Sequence, residues 1–467
     1  MKIAILGAGF SGLTAAYELN KAGHKVTIYE KNAQPGGAAG GFKEEKWEWY
    51  LDFAYHHWFT NDSDVLGLCK EIGWEKIVMV RPVTASLYSN SNDKSTKSTN
   101  QAQNSKNKVN SNLAIQQFSD SVSYKLDSPL DLLKFPRIPV IDRIRAGIVL
   151  ALLKFGPPLQ VYHRTTSYKL LTTLMGKTAF DELFKPLFEK KFGEYAPYIN
   201  TMFMWARITK RTPSLAYPEG GYQALANHFS RLLVSKGVTI LYSTEVKTVT
   251  RASSQFSVRS SQRSTSSQLS NGLKTKKSEL FKNSELETEN YDVLINTLPS
   301  PIFLKLEKNI LPDNYRTRLA GIKYLGAQTV ILETKEPVLD KTYWLNLTQK
   351  NNPWMVAIQH TNFMDKKHFN GHHLFYLATY TNKPLTFRHS DIQTRDARPS
   401  DIIKKWEFTI PYAQPIYTTN FIDHVPHYKT PVPGLYFANM EMTYPYDRGT
   451  NYAVKVGREV ARIVNSR

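Results

Sequence analysis

The residues best placed to do chemistry stand at the start of the 467-residue chain, where Gly7, Gly9 and Gly12 follow the apolar run KIAIL and open the helical pattern FSGLTAAYELNKAG. At that spacing Gly7 permits a tight turn, Gly9 lets the backbone approach a pyrophosphate and Gly12 lets the helix lie close on the strand. Phe10 and Ser11 fill the turn, where free amides at a helix start favour phosphate charge. A second run, KVTIY, leads to Glu30 and Lys31, which puts a carboxylate where a ribose hydroxyl would donate. Triplet, strands, helix and acid together read as a dinucleotide site, without separating NAD from FAD.

Two further groups could act on a substrate. His56 and His57 stand together in DFAYHHWFTND, and neighbours in extended chain point to opposite sides, so one of them faces a cofactor. His57 is the favoured one, as an imidazole near neutrality that handles a proton; hydrogen-bonded packing is the competing reading. Lys191, Arg207 and Arg211 are set among Phe184, Phe188, Phe192, Phe203 and Trp205, which suggests a pocket both greasy and cationic. Guanidinium forks suit a carboxylate or phosphate there, against the plainer reading of solvated surface charge. Tyr55, Tyr343, His360 and Asn362 are further candidates for the substrate lining. One cysteine and no His-Glu-x-x-His offer no ligand set, so no metal is expected.

The elements that must hold these residues are interleaved. The length allows two domains. A nucleotide-type α/β unit is expected at 1–60, 213–300 and 411–467, interrupted by substrate-type segments at 61–212, read as mostly helical, and 301–410, read as a sheet. Two low-complexity stretches, 89–112 and 251–287, are rich in Ser, Asn, Lys and Gln and are expected to be exposed insertions at hairpin tips, with FSVRS, 256–260, as a strand end. The formal charge of +20 allows an acidic small molecule or anionic lipid as partner, and with no recognition motif nucleic acid is not expected. IRAGIVLALLKFG, 144–156, reads as a core helix, with its basic flanks leaving peripheral membrane contact open. Cys69 reads as a buried structural thiol, and MKIAILGAG lacks a secretory pattern, so a reducing, cytoplasmic setting is expected.

AQPGGAAGGF, 33–42, follows Glu30 at once, and this second glycine-rich turn, with Gly37 and Ala38, resembles the second glycine motif of the flavin-containing amine oxidase, protoporphyrinogen oxidase and phytoene desaturase superfamily. The resemblance is strongest to bacterial protoporphyrinogen oxidase-like members and implies FAD. It extends to YPEGGYQALANHF and to STEVKTVT, whose Val246 would meet the adenine, and to DVLINTLP, which brings Thr297 near the ribose. At the other end PGLYFANM resembles the family's last strand, and TYPYDRGTNYAVKVG the segment that closes the flavin site. That implies a helix starting at Gly449, Thr450 and Asn451 and aimed at the flavin ring, with Arg448 nearby and Gly457 allowing close packing. Tyr444 would stand with Tyr446 as an aromatic wall over the ring, which makes Tyr444 a candidate catalytic residue. Departures are Ala38 and Ala39, where many relatives carry arginine, and Asn439 and Met440 in place of Gly-Asp.

The implied fold is α/β, a Rossmann-type FAD-binding domain with an interleaved α+β substrate-binding domain. The implied activity is hydride transfer from a hydrophobic or amphipathic small molecule, of the amine, porphyrinogen or polyene class, to flavin N5, with oxygen or another electron acceptor reoxidising the flavin. DFAYHHWFTND also resembles a segment of UDP-galactopyranose mutase, which implies the alternative of a nucleotide sugar rearranged without net redox. A prenyl-binding escort protein on the same fold is a third reading, opposed by the intact Gly7, Gly9, Gly12 and Glu30.

Overall fold

The computed structural model describes residues 1–89, 121–262, 286–388, 391 and 401–466. Apolar runs too short to cover themselves must be buried on both faces, and five of them form a parallel sheet. These are β1 (Lys2–Leu6), β2 (Lys25–Tyr29), β3 (Thr239–Leu241), β4 (Val293–Asn296) and β5 (Leu435–Phe437), in the order β3-β2-β1-β4-β5. The chain fills one side of β1 first and the other side later. The strand order therefore reverses beside β1, and the crevice at the carboxyl ends of β1 and β4 is where such sheets take ligands. There Thr297, just past β4, donates its hydroxyl to the Leu6 carbonyl at 2.6 Å.

A seven-stranded sheet forms the second layer system. Its order is Ile402–Pro415, Tyr324–Thr334, His373–Tyr380, Val356–Gln359, Thr342–Leu347, Val83–Ser89, Ser121–Lys125. The runs AQTVILET, WMVAIQHT and HLFYLATY do supply neighbouring strands of this sheet. The stretch to Arg211 is mostly helical among its described residues, and it also supplies Val83–Ser89 and Ser121–Lys125, which pair and extend the sheet. The partners stand 31 residues apart across the low-complexity stretch, which hides their pairing. Within 251–287 the strand end expected at FSVRS is part of a full strand, Gln255–Gln262, with Phe256 and Val258 buried, paired with Thr244–Ala252 and Leu286–Tyr291. What remains of the two low-complexity stretches lies outside the described residues.

Helices from Pro129 to Lys210 stack beside this sheet. Cys69 is buried on the helix Ser63–Glu71, and burial pushes its thiol up to about 12.

Three long helices flank the parallel sheet: α1 (Phe10–Lys21), α2 (Tyr222–Ser235) and α3 (Thr450–Asn465). The last packs on the first through Gly457, where a Cβ would stand 2.5 Å from the Ser11 carbonyl oxygen and 2.9 Å from Thr14 Cβ. Ser11 is also fastened to the end of the chain by its hydroxyl, which donates to the Ala438 carbonyl at 2.6 Å. Gly457→Ala should therefore force the two helices apart and cost about 1–3 kcal/mol in urea unfolding. Gly67→Ala, in a helix interior with nothing within 4 Å of the new methyl, should instead gain about 0.5–1 kcal/mol. Equal effects of the two would remove the close contact from the account.

Candidate flavin and substrate site

The glycine loop folds as its spacing demands. A Cβ on Gly12 would stand 2.1 Å from the Gly7 carbonyl oxygen, so only glycine lets α1 start this close to β1. No side chain caps the start of α1, which leaves its first amides available to an anion. Glu30 is buried at the end of β2 and accepts from the amides of Ala8 and Asn32, each at 2.9 Å. Its carbonyl takes the Thr244 amide, which brings the strand bearing half-buried Val246 beside the same acid. Lys31 is exposed at the rim.

The second glycine turn lies directly against the first. Gly36 donates its amide to the Ala8 carbonyl at 2.9 Å, and Gly37, with φ +58°, has room for a Cβ only 3.1 Å from Gly9 Cα. Ala38 is exposed in the same turn. A cavity of about 850 Å³ borders this turn, lined among others by Gly37, Gly40, Tyr50 and Phe53.

The two histidines diverge as alternation requires. His56 Nδ1 is 3.8 Å from the buried carboxylate of Asp52, and its ring packs on Tyr222. Asp52 also accepts from the Tyr217 hydroxyl at 3.0 Å; burial raises its pKa, opposed by His56 and Tyr217. His57 instead lies 3.4 Å from the Tyr343 hydroxyl, edge-on to Trp344. Burial first, then His56, Arg207 and Arg211, push its imidazole down to about 3. These shifts favour the neutral imidazole, against the expectation of titration near neutrality.

A charged cluster joins three parts of the chain next to these aromatics. Asp447, in the turn before α3, accepts from Lys191 Nζ at 3.1 Å and from the Arg207 guanidinium. Its neighbour Arg448 donates to Gln414 Oε1 at 2.6 Å and to the Tyr380 hydroxyl. Lys191 Nζ and the Arg448 guanidinium lie over the Tyr380 ring, 5.2 Å and 5.1 Å from its centroid. Burial lowers Lys191 to about 7, with Asp447 opposing the shift and the two arginines adding to it. Burial works to raise the Asp447 carboxyl, but the cations outweigh it and hold it well below the usual carboxylate range. Tyr55, edge-on to Trp344 at 4.9 Å, keeps its proton because of burial, reinforced by Tyr380.

Other candidates fall elsewhere. Arg448 belongs to the sheet side of this cluster, where Gln414 and Tyr380 hold it, and not to the first turn of α3. The side chains of Thr450 and Asn451 are occupied: Trp58 Nε1 donates to Thr450, and Asn451 Oδ1 takes the Val65 amide at 3.0 Å, capping the helix Ser63–Glu71. The start of α3 at Gly449 has no side-chain cap, so its first-turn amides remain open to an anion. Tyr444 has its hydroxyl 2.6 Å from His163 Nδ1 and accepts from Asn200 at 2.9 Å, and its ring packs on Tyr417 and Phe421. Tyr446 stacks on Tyr452. His360 is 2% exposed, packed among Tyr217, Phe369 and Tyr376, and is a core residue. Asn362 donates to the carbonyls of Leu339, Asp340 and Thr342 and ties a turn. Tyr343 is a core ring whose hydroxyl reaches His57. Arg211 is exposed and pairs with Asp127 at 2.7 Å. Sequence reasoning missed Asp447, Tyr380, Gln414 and Asp52; the acid beside Arg448 in PYDRGTN was the one local signal.

Solved structures share the whole fold at low identity. Reduced UDP-galactopyranose mutase aligns with a TM-score of 0.68 and 17% identity, covering 99% of this chain and 95% of that one. Cyclohexylamine oxidase from Brevibacterium oxydans IH-35A aligns at 0.67 with 11% identity, covering 100% and 98%. Among curated relatives, a zeta-carotene desaturase of Capsicum annuum is 34% identical over 84 residues, a match spanning 18% of this chain and only 14% of the desaturase. The model of the family "Flavin containing amine oxidoreductase" matches residues 10–465, from the glycine loop to the end of α3. With that match over nearly its entire length, the chain belongs to the flavin containing amine oxidoreductase family.

Proposed function

We propose that the protein is an FAD-dependent oxidoreductase that oxidises a hydrophobic or amphipathic small molecule of the amine, porphyrinogen or polyene class. It would work in a reducing, cytoplasmic setting, with oxygen or another acceptor taking the electrons onward. The observation that carries the reading is the set of three cations and one carboxylate, buried Lys191, half-buried Arg448 and Asp447 and exposed Arg207, beside the rings of Tyr55, Trp344 and Tyr380. It leaves net positive charge against an apolar wall, which suits a greasy body carrying an acidic group.

The chain's own groups fit the cofactor. Main chain at Gly9 and Gly37 and the first amides of α1 would hold the pyrophosphate, Glu30 the ribose, Val246 the adenine, and the open amides of α3 the electron-rich edge of the ring. Flavin, when bound, supplies two-electron redox chemistry that side chains lack. His57 contributes an uncharged imidazole that shares a proton without adding a fourth positive charge to the pocket. Tyr343 orients that ring, and the surrounding aromatics keep water out. A second reading, a mutase acting on a nucleotide sugar, is favoured by the likeness to reduced UDP-galactopyranose mutase and by the His56-His57 segment; such an enzyme would need prior reduction and no electron acceptor.

Anaerobic mixing with substrate separates the two: an oxidoreductase substrate bleaches the visible flavin band, and isomerisation of UDP-galactopyranose by dithionite-reduced protein alone would select the mutase. His57→Ala should retain flavin while kcat falls by about a hundredfold; undiminished turnover would make His57 a packing residue. Lys191 is protonated below about 7 and neutral above it, so the pocket loses positive charge as pH rises. The KM of an anionic substrate should accordingly increase by roughly tenfold from about pH 6 to about pH 8. Lys191→Met should flatten that profile, and an unchanged profile in the variant would detach Lys191 from substrate.

A further inference from the structure

Ten of the eighteen large apolar side chains that the described residues leave exposed fall between Leu130 and Val161. Most belong to one 16-residue helix, Val140–Phe155, which the sequence read as a core element. Only Ala146, Val149 and Leu153 of that helix are buried. On the opposite side Ile141, Ile144, Ile148, Leu152 and Phe155 recur at helical spacing, with Ile141 76%, Leu152 64% and Phe155 85% exposed. At 100° per residue these five share an arc of about 80°, a continuous stripe about 21 Å long. So much contiguous apolar surface on a soluble face marks an interaction site.

Charge decides what covers it. Arg145 borders the stripe on one side, about 20° past its edge, while Arg143 and Lys154 lie on the far flank of the helix, about 80–100° from its other edge. All three hydrogen-bond to main-chain carbonyls, which carry no charge: Arg143 to Ile138 and Leu133, Arg145 to Leu174 and Thr173, Lys154 to Thr209 and Arg211. From 129 to 164 the chain holds six Lys or Arg against Asp131 and Asp142, within a whole chain of formal charge +20; of the six, Arg137 and Arg164 pair with Glu182 and Asp423. A second copy of the chain meeting this face would set like net charge against like, which is unfavourable. An apolar stripe with Arg145 at its edge and further cations on the helix flank matches instead the acyl boundary and anionic headgroups of a lipid surface. No helix among the described residues is long and apolar enough to cross a membrane.

We propose that the outer face of the helix Val140–Phe155 docks the protein on an anionic lipid bilayer, the apolar stripe entering the interface and Arg145 at its edge meeting the headgroups. The helix packs on Thr201–Lys210, which carries Arg207 of the charged cluster. Docking would therefore set the helical wall of the pocket against a reservoir of greasy molecules. That consequence rests on the proposed function; the docking itself does not.

Co-sedimentation of the purified full-length protein with vesicles tests this without any turnover assay. It should pellet with phosphatidylcholine vesicles containing phosphatidylglycerol, much less with phosphatidylcholine alone, and added salt should release it. Ile148→Glu with Leu152→Glu, both at exposed positions, should weaken binding by about tenfold or more at unchanged melting temperature. Ile141→Ser with Phe155→Ser serves if the charged pair disturbs folding. Absence of vesicle binding, or binding that survives the substitutions, would overturn the proposal. So would a dimer in sedimentation velocity that the same substitutions convert to monomer, since a second copy would then be the occupant.

Discussion

Everything at the site depends on one close contact between the two ends of the chain. Gly457 lets α3 settle against the Ser11 carbonyl, and the Ser11 hydroxyl holds the Ala438 carbonyl on the last strand. Gly449 precedes Gly457 by eight residues, so the open start of α3 lies about 12 Å along the helix from the glycine loop. The same contact fixes the turn carrying Asp447 and Arg448, and through them the sheet and the helices that close the pocket. A side chain at Gly457 would disturb cofactor loop, charged cluster and helix start together.

The second constraint is electrostatic. Removing charges from water is costly, and a buried pair recovers that cost only with good geometry and further hydrogen bonds. Asp447 has both Lys191 and Arg207, while Arg448 finds Gln414 and the Tyr380 hydroxyl. The arrangement holds itself together yet remains short of negative charge, a state that an acidic ligand relieves. Burial first, with His56, Arg207 and Arg211 adding to it, favours the uncharged form of His57.

What was legible in the sequence was local. Gly7, Gly9, Gly12 and Glu30 act through their own backbone and through neighbours within one strand-helix-strand unit, so spacing alone announces them. The charged cluster is different: Lys191, Arg207, Tyr380, Gln414 and Asp447 come from five segments, and no window of sequence contains two of the contacts. Tyr444 and His360 show the converse. Each sits in a suggestive motif, but packing against Asn200 and His163, or Tyr217 and Tyr376, turned them to other uses. Low-complexity stretches misled in a further way. They separated strand partners that a hairpin would otherwise have revealed, and a serine-rich composition left only FSVRS legible, as a strand end, within the strand Gln255–Gln262.

The central claim is that both ends of the chain together build a flavin site. It is tested most directly by the visible absorption spectrum of the purified protein, followed by identification of what heat denaturation releases into the supernatant. The account predicts a yellow protein that gives up FAD at about one per chain. A colourless protein that also fails to take up added FAD would contradict it.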